Sequence, residues 1–293
     1  MQIQILAVPY DSGHRGRRMG AGPEQLLARG LDQSLRAKGH DVLSRVIELP
    51  DGWHAEIETA FSLMGSLADA VRQARAAGRF PLILAGNCNT AVGTVAGLDR
   101  RTGVLWFDAH GDFNTPETSV GGFLDGMGLA IVTGRCWREL AKGVPGFQPV
   151  PDHRVHLLGV RDLDLLEQQA LAASAVTVTA PADLRSAVNA AVRDLSGEVD
   201  GIYLHLDLDV LDPSVGRVNQ FAVPGGLTLP QLERAVAAIG EGLPIVAATL
   251  SAYDPACDEG GQICAAALHL AGAVLEAAAG PAYTRQRGFR QEV

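Results

Sequence analysis

Short apolar runs recur along the chain, separated by longer Ala/Leu-rich stretches with helical spacing. The runs are IQILAVP (3–9), PLILAG (81–86), GVLWFDAH (103–110), RVHLLGV (154–160), AVTVTA (175–180), GIYLHLDLDV (201–210) and PIVAATLS (244–251). Several are apolar at consecutive positions, as strands buried on both faces of a parallel sheet are. Helical patterns lie between them, over Pro23–Gly39, Glu56–Gly78, Ala182–Leu195, Leu229–Gly240 and Ala265–Ala279. Thr228 stands as the N-cap before Leu229, with Pro230 in the first turn. The alternation predicts an α/β fold, a doubly wound parallel sheet with helices on both faces. No internal repeat or low-complexity linker divides the 293 residues, so 1–293 reads as a single domain.

In such sheets chemistry collects at the carboxyl ends of the strands. The residues that follow the runs are polar. Asn87-Cys88-Asn89 follows 82–86, and Asp108-Ala109-His110-Gly111-Asp112-Phe113-Asn114 follows 103–107. Arg161-Asp162-Leu163-Asp164 follows 154–160, and Asp207-Leu208-Asp209-Val210-Leu211-Asp212-Pro213 follows 201–206. In extended backbone Asp108, His110 and Asp112 share one face, and so do Asp207 and Asp209. Those carboxylates and one imidazole would repel one another unless a cation lay among them. Oxygen-rich ligation with an imidazole suits Mn²⁺ better than structural Zn²⁺. So many carboxylates point to two ions, with some carboxylates bridging and a water activated between them. Asp212-Pro213 reads as a turn. His205, between Leu204 and Leu206, is either a partner of the ligands or a buried structural histidine.

Composition narrows the partners. The chain is 47% hydrophobic and 19% charged, which allows a large core. A net charge of −9, with one short basic run (GHRGRRMG, 13–20), argues against a nucleic-acid surface. No apolar run is long enough to span a membrane, and MQIQILAVP reads as a first strand rather than a targeting signal. The four cysteines, Cys88, Cys136, Cys257 and Cys264, form no CxxC pair and read as reduced thiols of a cytoplasmic protein.

Asp108-Ala-His110-Gly-Asp112-Phe-Asn114 resembles the DAHxDxN signature of the ureohydrolases: arginases, agmatinases and formimidoylglutamases. Asp207-Leu-Asp209-Val-Leu-Asp212-Pro213 is similar to their DxDxxDP signature, and Gly20-Ala-Gly22-Pro23 and Gly225-Gly226-Leu227-Thr228 also look like family features. The resemblance covers roughly residues 5 to 275. It implies a three-layer α/β/α sandwich with a mainly parallel sheet, two Mn²⁺ per chain, a small guanidino substrate and a possible homo-oligomer. It implies hydrolysis of a guanidino-type carbon by metal-bound hydroxide, which Asp112 holds. It also implies that Asp108 and Asp207 bridge the ions, that Asp112 binds one, and that His110 and Asp209 bind the other.

The pattern departs from the family at four places. Cys88 stands where a GGDHS-like motif has its ligand His, and a thiolate can take that role. Asp125 stands where arginases carry a loop His, and is assigned proton handling at the leaving amine. Gly121 and Phe123 replace polar contacts to the substrate. Ala252 replaces the Glu that would pair with a guanidinium. Asn114 and Asp164 remain, and by resemblance contact the α-carboxylate and α-amino group of an amino-acid substrate. A buried guanidinium without a carboxylate is costly, so a less basic N-hydroxyguanidine is favoured. Cys88 also resembles the branch of the family that hydrolyses Nω-hydroxy-L-arginine to L-ornithine and hydroxyurea in antibiotic biosynthesis. The alternatives are an arginase- or agmatinase-like hydrolase of another guanidino compound and a non-catalytic metal-binding member. A one-Zn²⁺ deacetylase of the same broad fold fits poorly. The polar tail Thr284–Val293 reads as disordered in preference to an interface arm.

Overall fold

The structure is a computed structural model that describes residues 1–49, 55–99 and 101–282; the tail Thr284–Val293 lies outside them. Eight strands form the main sheet. They are β1 (Gln2–Val8), β2 (Asp41–Val46), β3 (Phe80–Ala85), β4 (Thr102–Phe107), β5 (Val155–Leu158), β6 (Thr177–Thr179), β7 (Gly201–Asp207) and β8 (Ile245–Ser251). All pair in parallel, in the order β2-β1-β3-β8-β7-β4-β5-β6.

The inner strands β3, β4, β7 and β8 are buried at every position, which is why their sequences are continuously apolar. Along β4, Leu105 joins one hydrophobic core and Trp106 another, because successive side chains point to opposite faces. Helices cover both cores and make the three-layer α/β/α arrangement. The edge strand β2 was not among the apolar runs. It buries Val42 but exposes Asp41, Leu43, Ser44 and Arg45, as an edge facing water does.

Helices Glu56–Ala76, Leu184–Leu195, Leu229–Gly242 and Gln262–Ala278 lie close to their expected bounds. Thr228 caps its helix as expected, and its N–H donates to Gln231 Oε1 at 2.8 Å. The single helix expected over Pro23–Gly39 is instead two, Gly22–Ala28 and Leu31–Ala37. Gly30 separates them with φ +84°, a left-handed conformation that ends a helix. Among the described residues no helix is long and apolar enough to cross a membrane.

Register sets the site. Ala85, Ser251 and Asp207 lie side by side across β3, β8 and β7, and Phe107 pairs with Leu206. The segments after β3, β4 and β7 therefore leave the sheet at one level. Gly86 allows the N-terminal loop to press on this edge, since a Cβ there would lie 2.7 Å from the Gly20 Cα.

Candidate metal centre

A cavity of about 240 Å³ opens over this edge, and Cys88, His110, Asp112, Asp207 and Asp209 line it. Two sets of donor atoms each lie within 4.8 Å of one another: Asp108, His110 and Asp209, and Cys88, Asp108 and Asp207. Asp108 belongs to both. His110 Nδ1 is 3.3 Å from Asp108 Oδ1 and 3.4 Å from Asp209 Oδ2. Two donors each about 2.1 Å from one cation, at right angles, lie about 3 Å apart. The spacing is short enough for these groups to hold one ion. On the other side, Cys88 Sγ donates to Asp207 Oδ2 at 2.9 Å.

The ligands converge for a different reason from alternation along an extended strand. Each leading aspartate folds its own loop. Asp108 Oδ1 accepts the His110 N–H at 2.7 Å, and Asp207 Oδ1 accepts the Asp209 N–H at 2.8 Å. These are side-chain turns two residues long. After Asp207 the chain enters a 3₁₀ turn, Leu208–Val210, and Asp112 sits at φ +49°. Trp106 Nε1 donates to Asp108 Oδ2 at 3.0 Å and fixes the other oxygen.

Burial pushes the Asp108, Asp112 and Asp207 carboxyls up, and neighbouring aspartates push them further. Burial also raises Asp209, but His110 beside it outweighs that and holds its carboxyl at about 2. Burial lowers His110, yet Asp209 and Asp108 hold its imidazole well above the usual range. The Cys88 thiol is pushed up by burial and by Asp207. A divalent cation would relieve the penalties on Asp108, Asp112, Asp207 and Cys88 at once and take the place of the proton on His110. Asp112 lies outside both three-residue sets, but its buried Oδ2 has no hydrogen-bond partner. A buried orphan carboxylate oxygen beside this donor set fits a pair of divalent ions.

The remaining expected residues fall around the same cavity. Asp125 accepts from Asn87 Nδ2 at 2.7 Å and from the Asn89 N–H at 3.1 Å, and burial pushes its carboxyl up to about 7. Asn87 and Asn89 thus hold Asp125. Asn114 Nδ2 donates to Asp164 Oδ2 at 3.1 Å, so the two residues assigned to an amino-acid end meet. Gly121 and Phe123 line the cavity. Ala252 lines it too, buried, with φ +64°. Asp212 lies in a turn and accepts from the N–H groups of Ser214, Gly225 and Gly226. His205 is fully buried, and burial lowers its imidazole to about 3.

Three residues at this site escaped the sequence reading. Glu167 accepts the Phe113 N–H at 2.8 Å and closes a capping box with Asp164; the Asp-x-x-Glu spacing is its sequence signal. Phe221 packs on Phe123 with ring centroids 5.5 Å apart. Asn219, 1% exposed, donates to Asp209 Oδ2 at 3.2 Å. No local pattern announces either of the last two.

The model of the arginase family matches residues 1–276. The arginase of Bacillus caldovelox is 32% identical over 93% of this chain and 97% of its own length. That of Brucella melitensis is 29% identical over 94% and 96%. The crystal structure of arginase from Bacillus cereus superposes with a TM-score of 0.85 at 28% identity, covering 94% of this chain and 98% of that one. The chain belongs to the arginase family, the ureohydrolases, hydrolases that act on amidino and guanidino groups.

Proposed function

We propose that this chain is a binuclear manganese hydrolase that splits Nω-hydroxy-L-arginine with water into L-ornithine and hydroxyurea. Ala252 carries the substrate assignment. It offers the cavity a methyl group, and Phe123 and Phe221 add two aromatic faces. A guanidinium is a permanent cation, and leaving one buried without its carboxylate costs about 3–5 kcal/mol. The hydroxyl oxygen of an N-hydroxyguanidine withdraws electrons and lowers its basicity, so this group enters neutral at far smaller cost.

Asp108 and Asp207 would be shared between the ions, with Cys88 and Asp112 completing one site and His110 and Asp209 the other. When bound, the manganese pair supplies Lewis acidity that lowers the pKa of water. The Asp112 carboxylate, with the oxygen it does not give to the ion, orients the attacking water toward the guanidino carbon. Asp125 hands a proton to the departing Nδ amine as the C–N bond breaks. Water supplies the carbonyl oxygen of hydroxyurea. Asn114 keeps one amide hydrogen beyond its bond to Asp164 and takes the α-carboxylate, while Asp164 takes the α-ammonium.

The experiment is a substrate panel on Mn²⁺-loaded protein, with ornithine, urea and hydroxyurea read separately. Faster ornithine release from hydroxyarginine than from arginine supports the assignment, and equal or faster turnover of arginine overturns it. The second reading is an arginase- or agmatinase-like hydrolase of another guanidino compound. The relatives named arginase favour it, and the same panel decides.

A further inference from the structure

A chain of buried polar groups runs from the interior of the sheet to Cys88. Thr249 Oγ1 lies 2.7 Å from Tyr203 Oη, and Tyr203 Oη lies 2.8 Å from His205 Nδ1. His205 Nε2 lies 3.2 Å from Ser251 Oγ, which lies 3.1 Å from Cys88 Sγ. Tyr203, His205, Thr249, Ser251 and Cys88 are all 2% exposed or less. The imidazole stacks on Trp106, centroids 3.7 Å apart, and Trp106 itself donates to Asp108. Its two nitrogens meet only hydroxyls, so it is neutral and carries one proton.

Counting donors gives the chain a direction. Each hydroxyl donates once, and the neutral imidazole donates from one nitrogen and accepts at the other. Suppose the protons pointed away from Cys88. Tyr203 would then donate to Thr249 or to Thr94, the other hydroxyl beside it, and the proton of whichever accepts would need an acceptor of its own. Among the described residues neither Thr249 Oγ1 nor Thr94 Oγ1 has one, and an unpaired buried donor is costly. With the protons pointing toward Cys88 every donor is used. Thr249 donates to Tyr203, Tyr203 to Nδ1, Nε2–H to Ser251, and Ser251 to Cys88 Sγ. The carbonyl of Leu206, 3.4 Å from Ser251 Oγ, is a longer and weaker competitor for that last proton.

We propose that Ser251 and His205 are positioning residues that present a hydrogen-bond donor to Cys88 Sγ and fix it as a ligand once a bound cation has displaced its proton to solvent. This rests on the reading of Cys88 as a ligand. Ligating histidines are usually fixed by an acceptor for their spare N–H. A thiolate has no such N–H and needs a donor instead. Ser251 supplies one, and His205 and Tyr203 keep its proton aimed at the sulfur.

The test uses the full chain loaded with Co²⁺ in place of manganese. It reads the thiolate-to-cobalt charge-transfer band and the cobalt content. The unaltered chain is expected to show a band that Cys88→Ser abolishes. In Ser251→Ala the band moves to lower energy, because a sulfur without its donor gives up an electron more easily. Cobalt affinity falls about tenfold, the lower end for loss of a ligand's hydrogen-bond partner. Ser251→Thr restores both. Tyr203→Phe removes one oxygen, keeps the ring, and moves the band the same way by less; it serves if Ser251→Ala does not fold. An unmoved band in a folded Ser251→Ala or Tyr203→Phe protein overturns the positioning role while leaving Cys88 a ligand. A missing band in the unaltered chain, or one that survives Cys88→Ser, overturns the ligand reading and the positioning role with it.

Discussion

Asn219 donates to the backbone carbonyl of Ala252 at 3.0 Å, joining segments 33 residues apart. The other hydrogen of the same amide reaches Asp209 Oδ2 at 3.2 Å. Ala252 sits at φ +64°, a conformation that costs a residue with a Cβ about 1–2 kcal/mol. The Asn219 bond helps hold it there. A position that sets what the cavity offers a substrate is therefore tied to a candidate metal ligand.

Ala252→Glu should return a carboxylate to the site at no new backbone cost, because alanine already bears the Cβ penalty. Arginine turnover should rise relative to hydroxyarginine, shifting the ratio of kcat/KM values by about 10-fold or more, the effect of 1.4 kcal/mol. Parallel kinetics on both substrates check it. An unchanged ratio with normal folding would mean that charge pairing at position 252 does not set preference.

Asn219→Ala should strip two buried acceptors of a partner. Each buried group left unsatisfied costs about 1–3 kcal/mol. The Ala252 carbonyl loses its side-chain donor, while Asp209 retains His110. A loss of about 2–3 kcal/mol in denaturant unfolding is expected, with lower metal content at limiting Mn²⁺. Asn219→Asp should be less stable than Asn219→Ala in the metal-free chain, because it sets a carboxylate against Asp209, and Mn²⁺ should recover part of that loss in the same denaturant unfolding.

The sequence disclosed what was local. Strands β3, β4, β7 and β8 were legible because both faces are buried, and β2 was not because its edge position mixes Asp41, Ser44 and Arg45 with Val42. Asp108, His110, Asp112, Asp207 and Asp209 stood out because each motif folds its own turn within a few residues. Ser251 and Asn219 could not stand out, and His205 stood out only as a histidine whose role its neighbours left open. Ser251 meets His205 and Cys88 only because β8 lies between β3 and β7, and that order is a property of the whole sheet. Phe221 reaches Phe123 across two loops whose approach no local spacing encodes.

Glu167→Ala should loosen the loop that carries His110 and Asp112. Glu167 accepts the buried Phe113 N–H at 2.8 Å and the Asp164 N–H at 3.3 Å. Losing both should cost about 2 kcal/mol and raise KM more than it lowers kcat, since Asp164 belongs to the proposed amino-acid end. Glu167→Gln keeps an acceptor oxygen and should cost about half as much. Unfolding midpoints and steady-state kinetics on the two variants measure this, and equal losses in both would point to the charge rather than to the hydrogen bonds.

Asp212→Asn should show a pH dependence of known sign. The Ser214 side chain and the N–H groups of Ser214, Gly225 and Gly226 donate to this carboxylate and hold its pKa at about 2. An unpaired aspartate titrates near about 3.9. Folding therefore favours the ionised form, and the contribution is complete above about pH 4 and lost as pH falls toward 2. The group is largely solvated, so screening limits the effect to about 1 kcal/mol. Relative to the unaltered chain, Asp212→Asn should be less stable by that amount at pH 7, and the gap should narrow as pH falls from 4 to 2.5. Denaturant titrations of both proteins across that range check it. A gap that stays constant would show that the amide loses geometry rather than charge in the turn that holds Asp212.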